Sequence, residues 1–311
     1  MLKKNVLKLF YIAVAAMVTP ACHENTPQGY LIQDTPLKGT IYISVDESFK
    51  PVISEEIKVY QSTYPEAHII ASYKPEADCF RDLQKDSTRM IIVAKGLTKE
   101  ESSFYESKLS YRPDFDILAY DAVDVITNAN SKDSVFTMER LRNLLNGKDT
   151  AKEIAVDGKN ATSTVRYLLD SVLKGQSFGQ NVKAAAGSKA VLDYVAANKN
   201  AVGFLGSSWV GNDQDPEQVA YMGKVKLGIL ECVACGIGKG YFARPSQSSI
   251  MYHQYPLVRP LYYILKENTT AMGRAFKIFM SQERGQLIFR RSYLVPAVMD
   301  FNVRTGNLSK K

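Results

Sequence analysis

What most constrains this chain is a repeated change in the period of its apolar residues. Short β-branched and aromatic runs are each followed by a stretch at helical spacing. Gly39-Thr40-Ile41-Tyr42-Ile43-Ser44 reads as a strand. Pro51 suits a first helical turn, and Ile53, Ile57, Tyr60 and Tyr64 then mark one face of a helix that Pro65 stops. His68-Ile69-Ile70-Ala71-Ser72-Tyr73 is a second strand. Met90-Ile91-Ile92-Val93-Ala94 is a third, apolar throughout and so expected to be buried on both faces. A fourth strand is expected at 122–127, helices at 137–145, 165–173 and 189–197, strands at 201–205 and 257–265, and a helix at 272–284. This alternation predicts an α/β fold of mixed sheets flanked by helices. At 311 residues the chain suits about two domains. No Gly/Pro/Ser-rich linker divides it, which predicts that the chain crosses between domains more than once.

The N-terminus has a different character. Lys3 and Lys4 precede a nearly apolar run from Val6 to Val18, interrupted by Lys8. The run is too short to span a bilayer, which takes roughly 20 apolar residues, and has the length of an export-signal core. It ends at Thr19-Pro20-Ala21-Cys22, which resembles the bacterial lipoprotein cleavage site. Residues 1–22 are therefore expected to be a lipoprotein signal peptide and Cys22 the lipidated residue, tethering the protein to a membrane surface. Residues 23–37, with two prolines and many polar groups, read as a flexible tether.

Charge and composition exclude several function classes. The chain carries 39 Lys+Arg against 32 Asp+Glu, a formal +7, and without the three N-terminal lysines the count is 36 against 32. There is no long basic run and no basic-aromatic stripe, so no nucleic-acid partner is expected. Cys232-Val233-Ala234-Cys235 supplies two ligands where a structural zinc site needs four. It reads as a local disulfide or a pair of inert thiols, Cys79 as a lone buried thiol, and no metal or cofactor is expected. Gly236-Ile237-Gly238-Lys239-Gly240 lacks the ending of a phosphate loop and reads as a turn. There is no His-Glu-x-x-His motif. Hydrolytic chemistry would have to use His68 or His253. Glu55-Glu56 and Glu100-Glu101 read as solvated helix charge.

Ligands of open α/β sheets bind beyond the carboxyl ends of strands. Three turns are candidates. In Val45-Asp46-Glu47-Ser48-Phe49-Lys50-Pro51, Ser48 can cap a helix or meet an anion. In the turn from Val156 to Tyr167, Thr162, Ser163 and Thr164 immediately precede a helix, and converging hydroxyls and N–H groups make a neutral cradle for an oxyanion. Arg166 sits in the first helical turn, where the helix dipole disfavours a cation by roughly 0.3–1 kcal/mol. It is expected to face an anionic ligand or an acid across a cleft. The third turn, from Tyr255 to Tyr263, has two prolines and Arg259 before an aromatic strand and suits a crossing between domains.

Taken together these segments resemble the phosphate-binding branch of the periplasmic (type 2) substrate-binding proteins of ABC transporters. The matching stretches are 39–44 followed by Ser48 and Pro51, then 120–128 and 137–147, then 157–164 in place of a Gly-Ser-Gly-Thr-like turn. Tyr255 to Tyr263 follows, and then Phe279-Met280-Ser281 with Glu283-Arg284-Gly285-Gln286. The resemblance implies two α/β lobes, 38–122 plus 257–311 and 123–256, joined by a two-segment hinge, with an oxyanion clamped between them. It implies Ser48 and Phe49 as contacts from one lobe, Thr162, Ser163 and Thr164 from the other, and Ser72 near a further contact. It also implies an extracytoplasmic monomer that delivers phosphate or a similar oxyanion to an ABC permease, with no catalysis. Two features of the family's pattern are missing. Asp157, Gly158 and Lys159 stand where the family has an Arg, and Thr88-Arg89-Met90-Ile91 lacks the family's Asp. Arg166 or Arg89 is expected to supply the cation. The alternative is a cell-surface sensor or adhesion module of the same fold, with another anion or no small ligand.

Overall fold

Complete burial singles out the central strands: every residue of Met90–Val93 and of Ala201–Gly206 is inaccessible to solvent. The computed structural model of the chain describes residues 34–159, 161–236 and 240–298. The expected signal peptide, Cys22 and residues 23–33 of the expected tether lie outside them. All described residues belong to the unit 34–311.

In chain order the elements are β1 Gly39–Asp46, α1 Lys50–Thr63, β2 Ala67–Lys74, α2 Glu76–Leu83, β3 Met90–Val93, α3 Lys99–Leu109 and β4 Asp114–Asn128. Then come β5 Val135–Phe136, α4 Met138–Asn146, β6 Glu153–Val156, α5 Ser163–Tyr167, β7 Val182–Ala184, α6 Ser188–Ala197 and β8 Ala201–Gly206. The last are α7 Pro216–Met222, β9 Val225–Leu227, β10 Ile229–Glu231, β11 Phe242–Ala243, α8 Gln247–Met251, β12 Val258–Leu265, α9 Met272–Ser281, α10 Glu283–Arg291 and β13 Val295–Pro296. The expected α/β class with mixed sheets is what forms. The strand order is β2-β1-β3-β12-β4-β8-β6-β7, with β13 and β9 also on β4, and β11-β10-β5 form a separate small sheet.

β4 organises the molecule. Its first part pairs antiparallel with β12, from Asp114 opposite Leu265 to Ala122 opposite Val258. Its second part pairs with β8, from Val123 opposite Gly206 to Thr127 opposite Val202. One apolar core lies against β1, β3 and the first part of β4, and includes Phe49, Ile53, Tyr60, Phe276 and Phe289. Another lies against β6, β8 and the second part of β4, and includes Phe136, Leu144, Leu168 and Tyr255. The chain passes between these cores from Ala119 to Ala122 and from Leu257 to Leu261.

Several expectations change. The helix expected over 272–284 is two helices, because Gln282 is extended and α10 starts afresh. A Cβ on Gly285 would meet the Met280 Cα and the Phe279 carbonyl at 2.5 Å, so this corner needs glycine. The helix expected over 165–173 begins at Ser163 and widens into a π-helical turn over Leu168–Val172. Glu56, expected to be solvated, is fully buried on the inner face of α1. Cys232 and Cys235 are disulfide-bonded with Cα atoms 5.5 Å apart, and Cys79 is a buried free thiol. Residues 237–239 of the glycine-rich stretch lie outside the described residues. At the start of the described chain, Asp34 accepts both Nη groups of Arg89 at 2.7 and 2.9 Å and Met272 N at 2.8 Å.

Candidate functional site

The site forms where β1, β6 and β12 bring their ends to one buried point. β1 ends at Asp46, whose Oδ1 accepts Ser48 N at 3.1 Å and turns the chain into α1. This aims the Ser48 hydroxyl inward, fully buried, 3.3 Å from Ser163 Oγ and 3.4 Å from Thr164 Oγ1. β6 ends at Val156. Thr162 caps α5 by accepting Val165 N at 3.2 Å, and donates to Asp157 Oδ1 at 2.6 Å. The Ser48 hydroxyl lies 3.4 Å from Asp157 Oδ2. Ser163 and Thr164 occupy the first turn of α5 with no accessible surface.

The cation is Arg259. It lies in β12 directly opposite Asp121 of β4 and is 1% exposed. Its Nε donates to Asp121 Oδ2 at 3.0 Å, and its Nη1 donates to Ser163 Oγ at 2.8 Å and Thr164 Oγ1 at 3.2 Å. Phe49, completely buried, lies with its ring 4.9 Å from the guanidinium carbon, a distance at which the ring face attracts a cation. Asp121 Oδ1 accepts Ser207 N at 3.1 Å, and Ser208 Oγ donates to the Ser48 carbonyl at 2.9 Å. Gly206 is required here, since a Cβ would lie 2.9 Å from Arg259 Nη2 and 3.0 Å from Asp121 Oδ2.

Carboxylates outnumber the cation. Burial, and secondly the charge of Glu76, push the Asp46 carboxyl up to about 7. Burial likewise raises Asp121 and Asp157 above the usual carboxylate range. Although burial opposes its charge, the carboxylates of Asp121, Asp46 and Asp157 hold Arg259 above its ordinary value. Asp46 Oδ2 is buried and receives no hydrogen bond from the described residues.

The sequence-derived candidates divide into two groups. Ser48, Phe49, Thr162, Ser163 and Thr164 converge. Ser72 does not: it is exposed on β2, opposite Ser44 of β1. Arg166 faces an acid, the Nε donating to Glu76 Oε2 at 2.5 Å and Nη2 to Glu76 Oε1 at 3.1 Å. Neither it nor Arg89, which pairs with Asp34, supplies the cation of the cluster. His68 and His253 are both exposed and outside it. Arg259 and Asp46 stand in two of the candidate turns, but neither they nor Asp121 and Gly206 were expected as site residues. A signal did exist for Arg259, a charged residue inside a strand that otherwise reads apolar or aromatic.

Residues 33–283 match the sequence model of the PBP superfamily domain. No curated protein matches the sequence. Among solved structures, a Clostridium perfringens protein described as a phosphate ABC-transporter substrate-binding protein, with phosphate bound, superposes with a TM-score of 0.67. The match has 18% identity and covers 83% of this chain and all of that one. An ABC-type phosphate transport receptor from Vibrio cholerae gives 0.59 at 18% identity, with the same coverage. The regulatory domain of OxyR2 from Vibrio vulnificus gives 0.52 at 6% identity, over 78% of this chain and 95% of that one. Identities this low carry the fold and leave the ligand to the site itself. With the architecture and four fifths of the sequence in agreement, this chain belongs to the PBP superfamily.

Proposed function

We propose that this protein is an exported, lipid-anchored solute-binding protein that captures a small oxyanion, phosphate, for an ABC permease. The observation carrying this reading is the meeting of Ser48, Ser163 and Thr164 hydroxyls with the Arg259 guanidinium at one buried point. Neutral donors and one guanidinium replace the water an anion loses. Protonated phosphate also meets the local charge. Asp46, Asp121 and Asp157 surround a single Arg259, so a fully ionised anion would add repulsion. A P–OH can instead donate to Asp46 Oδ2, the buried oxygen that lacks a donor. Sulfate has no such proton at neutral pH.

Closure is the mechanism proposed. Lobes 38–122 plus 257–311 and 123–256 move about the paired middle of β4 and β12, where the chain passes between the two cores. Arg259 and Asp121 sit on that crossing and can hold one arrangement while the hydroxyls of α5 part from Ser48 to admit the ligand. Export and the anchor at Cys22 are supported by the signal-like N-terminus and by the Cys232–Cys235 disulfide, a bond of oxidising compartments. Among the described residues no helix is long and apolar enough to cross a membrane.

Calorimetry of the protein with phosphate and sulfate at low salt tests this reading. Phosphate is expected to give heat and sulfate none, and Ser163→Ala combined with Thr164→Val is expected to weaken phosphate. No heat at millimolar phosphate overturns it. That outcome would support a second reading, a surface sensor or adhesion module. The protein's own groups favour it in one respect: Ser48 already contacts Ser163 and Thr164 directly, and the Glu47 carboxylate takes the Ser188 N–H at 3.2 Å and its hydroxyl at 2.9 Å.

A further inference from the structure

A cavity of about 370 Å³ is lined by Ser207, whose N–H faces Asp121 of the candidate site and whose hydroxyl faces Asp124. Its size falls in the range of small-molecule sites, about 300–1,000 Å³. Its walls come from parts of the chain far apart in sequence: β4, the turn after β8, α7, β9, α8 and the turn after α10. Val210, Val219, Met222, Leu227 and Ile250 make the lining largely apolar.

Two observations separate it from a packing defect. The first is Asp124. Its residue is 2% exposed, it lines the cavity, and its Oδ1 accepts Ser207 Oγ at 2.8 Å. The charged residues of the lining are Asp124 and the exposed Asp213, both acids. Arg259, whose charge is felt at Asp124, is paired with Asp121. Burial pushes the Asp124 carboxyl well above the usual range, and the charge of Asp121 adds to this. A carboxylate in an apolar wall is costly unless a cation meets it.

The second is Tyr293. This tyrosine has φ 66°, a left-handed conformation that bulky side chains rarely adopt. Gln247 Nε2 holds the backbone on both sides, donating to the carbonyls of Arg290 and Leu294 at 2.7 Å each. Gly211 lets the tyrosine approach, since a Cβ there would meet Tyr293 Cβ at 2.5 Å. Tyr293 is the left-handed residue that closes α10, its N–H on the Arg290 carbonyl and Leu294 N–H on the Phe289 carbonyl; glycine is usual there, and a tyrosine instead lines the cavity.

We infer that this cavity binds a small organic ammonium, with its apolar body against Val210, Met222, Leu227 and Ile250, its charge on Asp124 and Tyr293 alongside. This proposal does not rest on the oxyanion reading: of the lining residues Ser207 alone touches that site, through its backbone N–H on Asp121.

The test pairs phenethylamine with its neutral counterpart 2-phenylethanol, each titrated into the protein by calorimetry and ligand-observed NMR. The amine is expected to bind at least about tenfold more tightly than the alcohol, and Asp124→Asn to erase the difference. Met222→Trp, at a partly exposed wall position, is expected to block the amine while leaving the phosphate titration unchanged. It keeps the test decisive if Asp124→Asn fails to fold. Failure of the amine to bind, equal binding of amine and alcohol, or amine binding that survives Met222→Trp overturns the proposal. Phosphate calorimetry reads the other site separately.

Discussion

Glu56 looked like surface charge because it follows Glu55 on a polar-looking stretch of α1, yet it is fully buried with neither oxygen hydrogen-bonded by the described residues. Burial raises its pKa well above the ordinary glutamate value. A carboxyl raised in the folded state contributes its stability below the unfolded pKa and loses it as pH rises through the folded value. Glu56→Gln is therefore expected to raise Tm at neutral pH and to have little effect near pH 4. The gain is the linkage cost of protonating a buried carboxyl at neutral pH, about 1.4 kcal/mol for each pKa unit by which burial raises it, since a buried glutamine amide is no better satisfied. Thermal melts across pH 4–8 decide it, and a destabilised variant at pH 7 would contradict it. Arg259 poses the opposite case. It is buried and paired, so Arg259→Met strands Asp121 beside Ser207 and is expected to cost about 3–5 kcal/mol, read by urea unfolding. It should also remove phosphate binding, and a variant as stable as the parent would show that the Asp121 pair contributes little.

At the scale of elements, α5 links structure to chemistry. Thr162 caps it, holds Asp157, and so sets Ser163 and Thr164 in the first turn facing Arg259. Thr162→Ala is expected to cost about 0.5–2 kcal/mol, the usual loss of an N-cap, and to weaken phosphate in calorimetry as well. Unchanged affinity with reduced stability would separate the cap from the site. Clear periodicity made α1, α4, α6 and α9 legible. α2 was missed because it is short, and α3 showed only as the helix charge of Glu100-Glu101, being mostly polar and carried by a capping box of Thr98 and Glu101. The first part of β4 was missed because Asp114, Asp116 and the exposed Tyr120 break its apolar pattern. The Glu283–Gln286 stretch was matched by resemblance. Its physical role emerges only from the corner, where Gly285 allows close contact and Gln286 donates to the Leu118 and Met280 carbonyls.

At the scale of the molecule, several bonds tie the ends of β1 and α2 to the elements around α5 and α6. Arg166 pairs with Glu76, Glu47 holds Ser188, and Ala77 N donates to the Ala161 carbonyl at 3.0 Å. If the lobes close as proposed, these contacts would hold the closed arrangement before any ligand adds to it. Replacing both Glu47 and Glu76 by Gln is expected to enlarge the radius of gyration in X-ray scattering, with phosphate restoring the smaller value. An unchanged radius without phosphate would mean that the packed cores, and not these carboxylates, hold the parts together.

The local elements, the hydroxyl turn at 162–164, the Ser48 turn and the α/β class were written in the sequence, because periodicity and turn chemistry act over a few residues. What the tertiary structure alone decided is the partner of those hydroxyls. Arg259 reaches Ser163 across 96 positions of chain and Asp121 across 138, brought there by the register of β12 on β4. Strand register is fixed by the burial of whole faces and not by any local run of residues. The same physics turned Arg166, the cation the sequence put nearest the hydroxyls, toward Glu76, and left Ser72 on an exposed edge strand.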